Sequence, residues 1–229
     1  MIIRGLQKTT LLDYPEKLAC TIFTGGCNFR CPFCHNASLV LNASRVEEIP
    51  EDELFSYLSK RRGVLDGACI TGGEPLLNND IVDFIKKIRS YGLLIKLDTN
   101  GSFPDKLEYL LDNKLVDYVA MDIKNSKEKY ALTAGTKEFP NEIERSIDII
   151  MSKAPDYEFR TTVVRELHTP SDICKIAERI KNTKKYFLQS YVDSGDTIAD
   201  GFTAYSPAEM LEILEATQKI LPVTALRGI

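Results

Sequence analysis

LACTIFTGGCNFRCPFCHN, residues 18–36, joins an apolar, β-branched run to a loop that holds Cys27, Cys31 and Cys34 in C-x3-C-x2-C spacing. A strand that delivers reactive side chains just past its end is the pattern of a parallel α/β sheet, where functional residues gather at the carboxyl ends of strands. Three thiolates are one short of the four protein ligands that structural zinc sites and iron–sulfur clusters normally take. A [4Fe–4S] cluster held by three would keep one iron open to a substrate or cofactor. The competing reading is a Cys3His zinc site completed by His35. Adjacent side chains such as Cys34 and His35 rarely converge on one tetrahedral ion, and no second Cys pair or His-x3-His follows.

Outward from this stretch, apolar runs recur at 68–71, 93–98, 117–122, 158–164 and 186–191. Amphipathic helical patterns fall between them, near 51–61, 79–91, 104–113, 141–153, 171–182 and 207–220. Capping residues or prolines stand ahead of these patterns at Pro50, Asn79, Pro104, Pro140, Ser171 and Ser206. Alternating strand and helix predict a parallel sheet with helices outside. With the run at 18–24 there are six such units, short of the eight that close a barrel of roughly 250 residues. The expected fold is a partial (β/α)6 TIM-like barrel with an open lateral side; a flavodoxin-like open sheet is the alternative on topology alone. A single domain over 1–229 is expected, with the cluster loop at 25–36 and the barrel core over about 18–191. A C-terminal helix and a candidate extra strand, which carries Arg227, occupy 206–229, and residues 125–139 read as a loop with a helical turn.

The bulk composition narrows the class. Of 229 residues, 44% are apolar and 27% charged, ordinary values for a soluble globular protein. A net charge of −4 without a basic run argues against nucleic acid and anionic membranes as partners. The start, MIIRGLQKTT, lacks the apolar core of a signal peptide, and no stretch is long enough to span a bilayer. A cytoplasmic location is expected, where thiols stay reduced. Cys20, Cys69 and Cys174 sit in apolar strand or helix patterns and read as small buried hydrophobes. No second cluster-binding set is visible, so an electron for the first must come from another protein.

The chemistry-bearing motifs fall at successive strand ends. The run ACIT leads directly into Gly72-Gly73-Glu74-Pro75, LLIKLD ends at Asp98-Thr99-Asn100-Gly101, and YVAMD ends at Asp122-Ile123-Lys124. Arg160 lies on the fifth run and Gln189 on the sixth. Gly72 and Gly73 permit close backbone approach to a ligand. Asp98 and Asp122, one βα unit apart, should face one mouth, where a bound cation would relieve their repulsion. Arg160 shares a strand face with Thr162, and an Arg in such a mouth usually meets an anion. The two histidines receive no acid–base role: His35 reads as support for the cluster loop and His168 as a loop residue.

The cysteine loop after the first strand and GGEP after the second resemble the radical S-adenosylmethionine (SAM) superfamily. Within it, GLQKTTLLDYPEKLACTIFTGGCNFRCPFCHN with DTNG and DIK resembles the glycyl-radical-enzyme activases, most of all those that serve anaerobic ribonucleoside-triphosphate reductase. The resemblance implies a [4Fe–4S] cluster on Cys27, Cys31 and Cys34, with SAM chelating the open iron. It implies SAM contacts from Phe33, beside the adenine, and from Gly72, Gly73, Glu74, Asp98, Lys124 and Arg160. It also implies a monovalent cation near Asp98, Thr99, the Met121 carbonyl and Asp122. Reductive cleavage of SAM would give a 5′-deoxyadenosyl radical, which would take a hydrogen from a glycine of the partner enzyme. A flavodoxin or ferredoxin is the implied electron donor.

About 37 residues separate Cys34 from Gly72, too few for an inserted ferredoxin-like domain. An open lateral face without an appended lid suits a protein loop as substrate. Two alternatives compete: a small-molecule radical SAM enzyme resembling 7-carboxy-7-deazaguanine synthase, and a non-catalytic iron–sulfur or zinc module.

Overall fold

The computed structural model describes residues 1–228. One eight-stranded sheet runs in sequence order from edge to edge. Edge strand β1 (Ile3–Thr10) is antiparallel to β2 (Ala19–Thr24). Then β3 (Gly67–Gly72), β4 (Leu94–Thr99), β5 (Tyr118–Asp122), β6 (Asp156–Val163) and β7 (Tyr186–Ser190) follow in parallel. The far edge is β8 (Thr224–Arg227), parallel to β7. With β1 and β8 as its edges, the sheet is an open partial barrel.

The six expected units are β2 to β7 with their helices. They read well because parallel strands covered on both faces become near-continuous apolar runs: the first four residues of β2, β3 and β5 are all buried. The helices are α1 (Ala37–Leu41), α2 (Glu51–Lys60), α3 (Ile81–Arg89) and α4 (Pro104–Asp112), then α5 (Lys127–Ala134), α6 (Glu142–Lys153), α7 (Pro170–Arg179) and α8 (Pro207–Gln218). Ser206 caps α8 in a reciprocal box with Glu209, as the sequence predicts. On α7 the start moves from Ser171 to Thr169, because Thr169 and Asp172 form the same box around Pro170.

Besides the short helix α1, which no sequence pattern announced, a strand and a helix go beyond the sequence reading. Strand β1 hides in a polar segment whose middle is exposed or half-buried, and its pairing shifts register twice. Such edges carry no alternation signal, and charges on them discourage edge-to-edge association. Residues 127–134 form a helix of two turns, not a single turn in a loop. Its amphipathic stripe is weak, but Tyr130, Thr133 and Ala134 are buried beside the cysteine loop. Among the described residues, no helix is long and apolar enough to cross a membrane.

Candidate active site

Past the carboxyl ends of β2 to β7 lies a cavity of ≈240 Å³ whose wall includes Cys27, Cys31 and Cys34. Phe33, Gly72, Gly73, Asp98, Thr99, Asp122, Lys124 and Arg160 also line it. Of the residues expected at a site, only Glu74 and Met121 lie outside that wall. The cysteine loop is held from several sides. The Arg30 N–H donates to the Ala134 carbonyl at the end of α5 (2.9 Å), and the Ala199 N–H donates to Pro32 (2.9 Å). The Arg30 guanidinium folds back onto the carbonyls of Cys27 (2.5 Å) and Phe29 (2.8 Å).

All three thiols are free. Among the described residues, no three His, Cys, Asp or Glu side chains gather around one ion-sized point. Cys27, Cys31 and Cys34 all border the one cavity, and thiolates are the donor type that iron–sulfur clusters take. Cys31 is buried, and desolvation pushes its thiol up to about 12, with Lys124 acting in the opposite direction. Burial raises Cys27 as well, again against Lys124. Thiols in this setting give up their protons to a metal, not to water.

Gly72 and Gly73 let the loop after β3 lie directly on the root of the cysteine loop. Gly72 has φ +109°, a left-handed conformation that side chains resist, and a Cβ on Gly73 would lie 1.9 Å from the Gly26 carbonyl oxygen. The Gly73 N–H donates to Thr24 (2.9 Å), the Glu74 N–H to Gly26 (2.8 Å), and Asn36 Nδ2 to the Gly72 carbonyl (2.9 Å). Glu74, expected to face a ligand, turns inward and is fully buried. Its Oε1 accepts from the Leu76 N–H (3.0 Å) and Thr99 Oγ1 (2.9 Å), and its Oε2 from the Asn100 N–H (2.7 Å). The carboxylate therefore ties the loop after β3 to the end of β4.

Opposite the thiols stands a charged wall. Asp122 and Arg160 are register partners on β5 and β6, so the pairing itself sets Arg160 Nε 2.9 Å from Asp122 Oδ1. The same guanidinium reaches Asp98 Oδ2 through Nη1 (3.2 Å). Lys96 pairs with the other Asp98 oxygen, and Lys124 Nζ with Asp122 Oδ2 (3.1 Å). Burial pushes both carboxylates up, but Arg160 first, then Lys96 or Lys124, more than offset it and hold both below the usual range. The repulsion between Asp98 and Asp122, expected to call for a bound cation, is thus relieved from within. Of the other expected cation ligands, the Thr99 hydroxyl is bonded to Glu74.

His168 is buried, and it braces the Lys124 loop. Its Nδ1 accepts from the Val164 N–H (3.1 Å), which assigns the proton to Nε2, 2.8 Å from the Lys124 carbonyl. His35 lines the cavity against Tyr191, ring centroids 5.4 Å apart. Arg227 lies away from this cavity and is paired through both nitrogens to Glu158 (2.6 and 2.8 Å). Sequence reasoning missed Lys96, Asn100 as a side chain, and Asn36. Lys96 was within reach: it interrupts an apolar run two residues before Asp98, on the same strand face. The two asparagines carry no signal until the loops are in place.

The radical SAM superfamily model matches residues 21–180. A protein of Methanocaldococcus jannaschii bearing the name "Putative glycyl-radical enzyme activating enzyme" is 34% identical over 198 residues, 83% of this chain and 80% of its own length. The pyruvate formate-lyase-activating enzyme of Clostridium pasteurianum is 30% identical over 128 residues, 54% of this chain and 52% of that one. Among solved structures, Streptococcus suis SuiB bound to its precursor peptide SuiA superposes with a TM-score of 0.70 at 17% identity, covering 91% of this chain and 48% of that one. That last likeness is one of fold.

Proposed function

The chain belongs to the radical SAM superfamily, and from that premise we propose that it is a glycyl-radical-enzyme activase whose partner is anaerobic ribonucleoside-triphosphate reductase. The observation that carries the reading is the shared cavity: three free thiols on one wall, a side-chain-free glycine pair beside them, and paired charges opposite. Cys27, Cys31 and Cys34 would hold the [4Fe–4S] cluster. When bound, the cluster and SAM supply a low-potential electron and a cleavable carbon–sulfur bond.

The chain's own residues then have separate tasks. Gly72 and Gly73 admit the cofactor close to the backbone. Phe33, 5% exposed, keeps water off that side of the cavity. Lys124 brings positive charge to the thiols, and with Arg160 it offers cations to a carboxylate ligand. Asp98 and Asp122 keep those cations oriented. The span from Cys34 to Gly72, occupied by α1, one 3-10 turn and α2, argues against an inserted ferredoxin-like domain, and the open lateral face of the barrel suits a protein loop as substrate. A flavodoxin or ferredoxin is the electron donor in this reading, and the reaction belongs to the reducing cytoplasm.

The test mixes the reconstituted, reduced protein with SAM and the reductase under anaerobic conditions. A glycyl doublet in the EPR spectrum is expected, together with release of 5′-deoxyadenosine. An intact cluster that yields no doublet on the reductase would sink the partner assignment. Release of no 5′-deoxyadenosine would sink the activase reading itself.

A further inference from the structure

The end of β4 and the first residue after it send consecutive side chains to different walls of the site. Asp98 meets Arg160, Thr99 meets Glu74, and Asn100 meets the cysteine loop. Asn100 is buried, 6% exposed. Its Oδ1 accepts two donors from Ser102, the N–H (2.9 Å) and Oγ (2.6 Å). That fixes the amide orientation and turns Nδ2 toward the loop. Nδ2 then lies 3.0 Å from Asn28 Oδ1 and 3.8 Å from Cys27 Sγ. A second donor, the Phe29 backbone N–H, reaches the same sulfur at 3.3 Å. Cys31 differs: its Sγ faces the Ala134 carbonyl, an acceptor, at 3.7 Å.

Hydrogen bonds to ligating sulfurs are among the factors that set a cluster's reduction potential. The reason is electrostatic: an added electron puts more negative charge on the sulfurs, and a donor aimed at one of them favours that state. Resting on the reading of Cys27 as a cluster ligand, we propose that Asn100 is a positioning residue that donates from Nδ2 to Cys27 and raises the potential at which the cluster accepts its electron.

The test is an EPR-monitored redox titration of the reconstituted full chain without SAM, for the parent, Asn100→Ala, Asn100→Asp and Asn28→Ala. Both Asn100 variants are expected to titrate at more negative potential than the parent, Asn100→Asp further than Asn100→Ala, with parental iron and sulfide content. Asn28→Ala removes a neighbour in the same hydrogen-bonded group but not the donor to sulfur, and should titrate with the parent. Either Asn100 variant at the parental potential would overturn the proposal. So would an Asn28→Ala shift as large as that of Asn100→Ala, or loss of iron from the shape-preserving Asn100→Asp, since either assigns Asn100 a purely structural part. A parent with no reducible cluster would instead overturn the reading of Cys27, and it shows before any variant is compared.

Discussion

Gly73 is packed against Gly26 backbone to backbone: a Cβ added to Gly73 would sit 1.9 Å from the Gly26 carbonyl oxygen and 2.6 Å from its carbonyl carbon. The obstacle is main chain, so no rotamer change can clear it. Gly73→Ala should therefore cost about 3 kcal/mol, the upper end for overpacking, and push the cysteine loop away from the loop after β3. Gly63→Ala is the contrast: Gly63 has φ +76° with nothing within 4 Å of its Cβ, so it reports backbone strain without a clash, whereas Gly73 has the clash without a positive φ. Denaturant unfolding of both variants, with iron retained after desalting as the second readout, checks this. A Gly73→Ala variant that keeps parental stability and iron would contradict a main-chain clash with Gly26.

Arg160 neutralises two carboxylates with one guanidinium, and it is itself largely buried, 13% exposed at the side chain. Arg160→Met should cost on the order of 3–5 kcal/mol, the usual range when one partner of a buried pair is removed. Arg160→Lys keeps the charge but has one nitrogen, so it can serve only one of Asp98 and Asp122 well. The acid side carries a further sign. Both carboxylates are depressed in the folded state, so their contribution is present above the ordinary carboxylate range and is lost as pH falls. Without Arg160 they rise, and the acid-unfolding midpoint of Arg160→Met should move to higher pH. A midpoint unchanged from the parent would contradict this electrostatic role.

Much of this arrangement was legible beforehand because parallel strands report themselves twice, as apolar runs and as the polar residue that ends each run. Asp98, Asp122 and Arg160 were readable as facing one mouth from strand ends and period-two counting alone. What they would do there was not readable. Register sets Arg160 beside Asp122 and stagger brings it within reach of Asp98, and neither quantity exists in a linear sequence. Glu74 misled for a related reason. A carboxylate after two glycines reads as a ligand contact, but the Asn100 N–H and Thr99 Oγ1 that capture it belong to the neighbouring strand end. Strand β1 and helix α5 were missed because their stability comes from what they pack against, not from their own patterns.

Glu74 also supplies a pH signature of the opposite sign to acid unfolding, between about 4.5 and 7. Burial raises its carboxyl from 4.5 to about 7, while the hydrogen bonds from Asn100, Leu76 and Thr99 limit the rise. A raised folded-state value favours the protonated form, so its contribution is full below about 4.5 and is lost as pH climbs toward 7. The loss is worth roughly 3 kcal/mol. Glu74→Gln should flatten that slope. It should also be less stable at low pH, because an amide nitrogen would face one of the three donors. Urea unfolding at steps across this window is the measurement, and an identical slope in parent and variant would remove Glu74 as its source.

Arg227 finds its role in Glu158, not in the cavity. Glu158 is 1% exposed, accepts both guanidinium nitrogens of Arg227 and takes the Tyr118 hydroxyl at 2.7 Å. Arg227 in turn lies over the Phe187 ring at 3.5 Å. The edge strand β8 is thereby anchored to β6 through a buried charge as well as through its ladder with β7. Arg227→Met should cost on the order of 3 kcal/mol, because the buried Glu158 loses the guanidinium that pairs both its oxygens. Removing both charges, as Arg227→Met with Glu158→Gln, should cost less than the single Arg227 change, the sign expected when the damage is an orphaned carboxylate. The deficit of the single variant should also shrink as pH falls. An unpartnered buried Glu158 binds a proton more readily than its unfolded counterpart, so acid restores stability that neutral pH removes. If the double variant is the less stable of the two at neutral pH, packing of Arg227 on Phe187 outweighs its charge, and β8 is held by contact area instead.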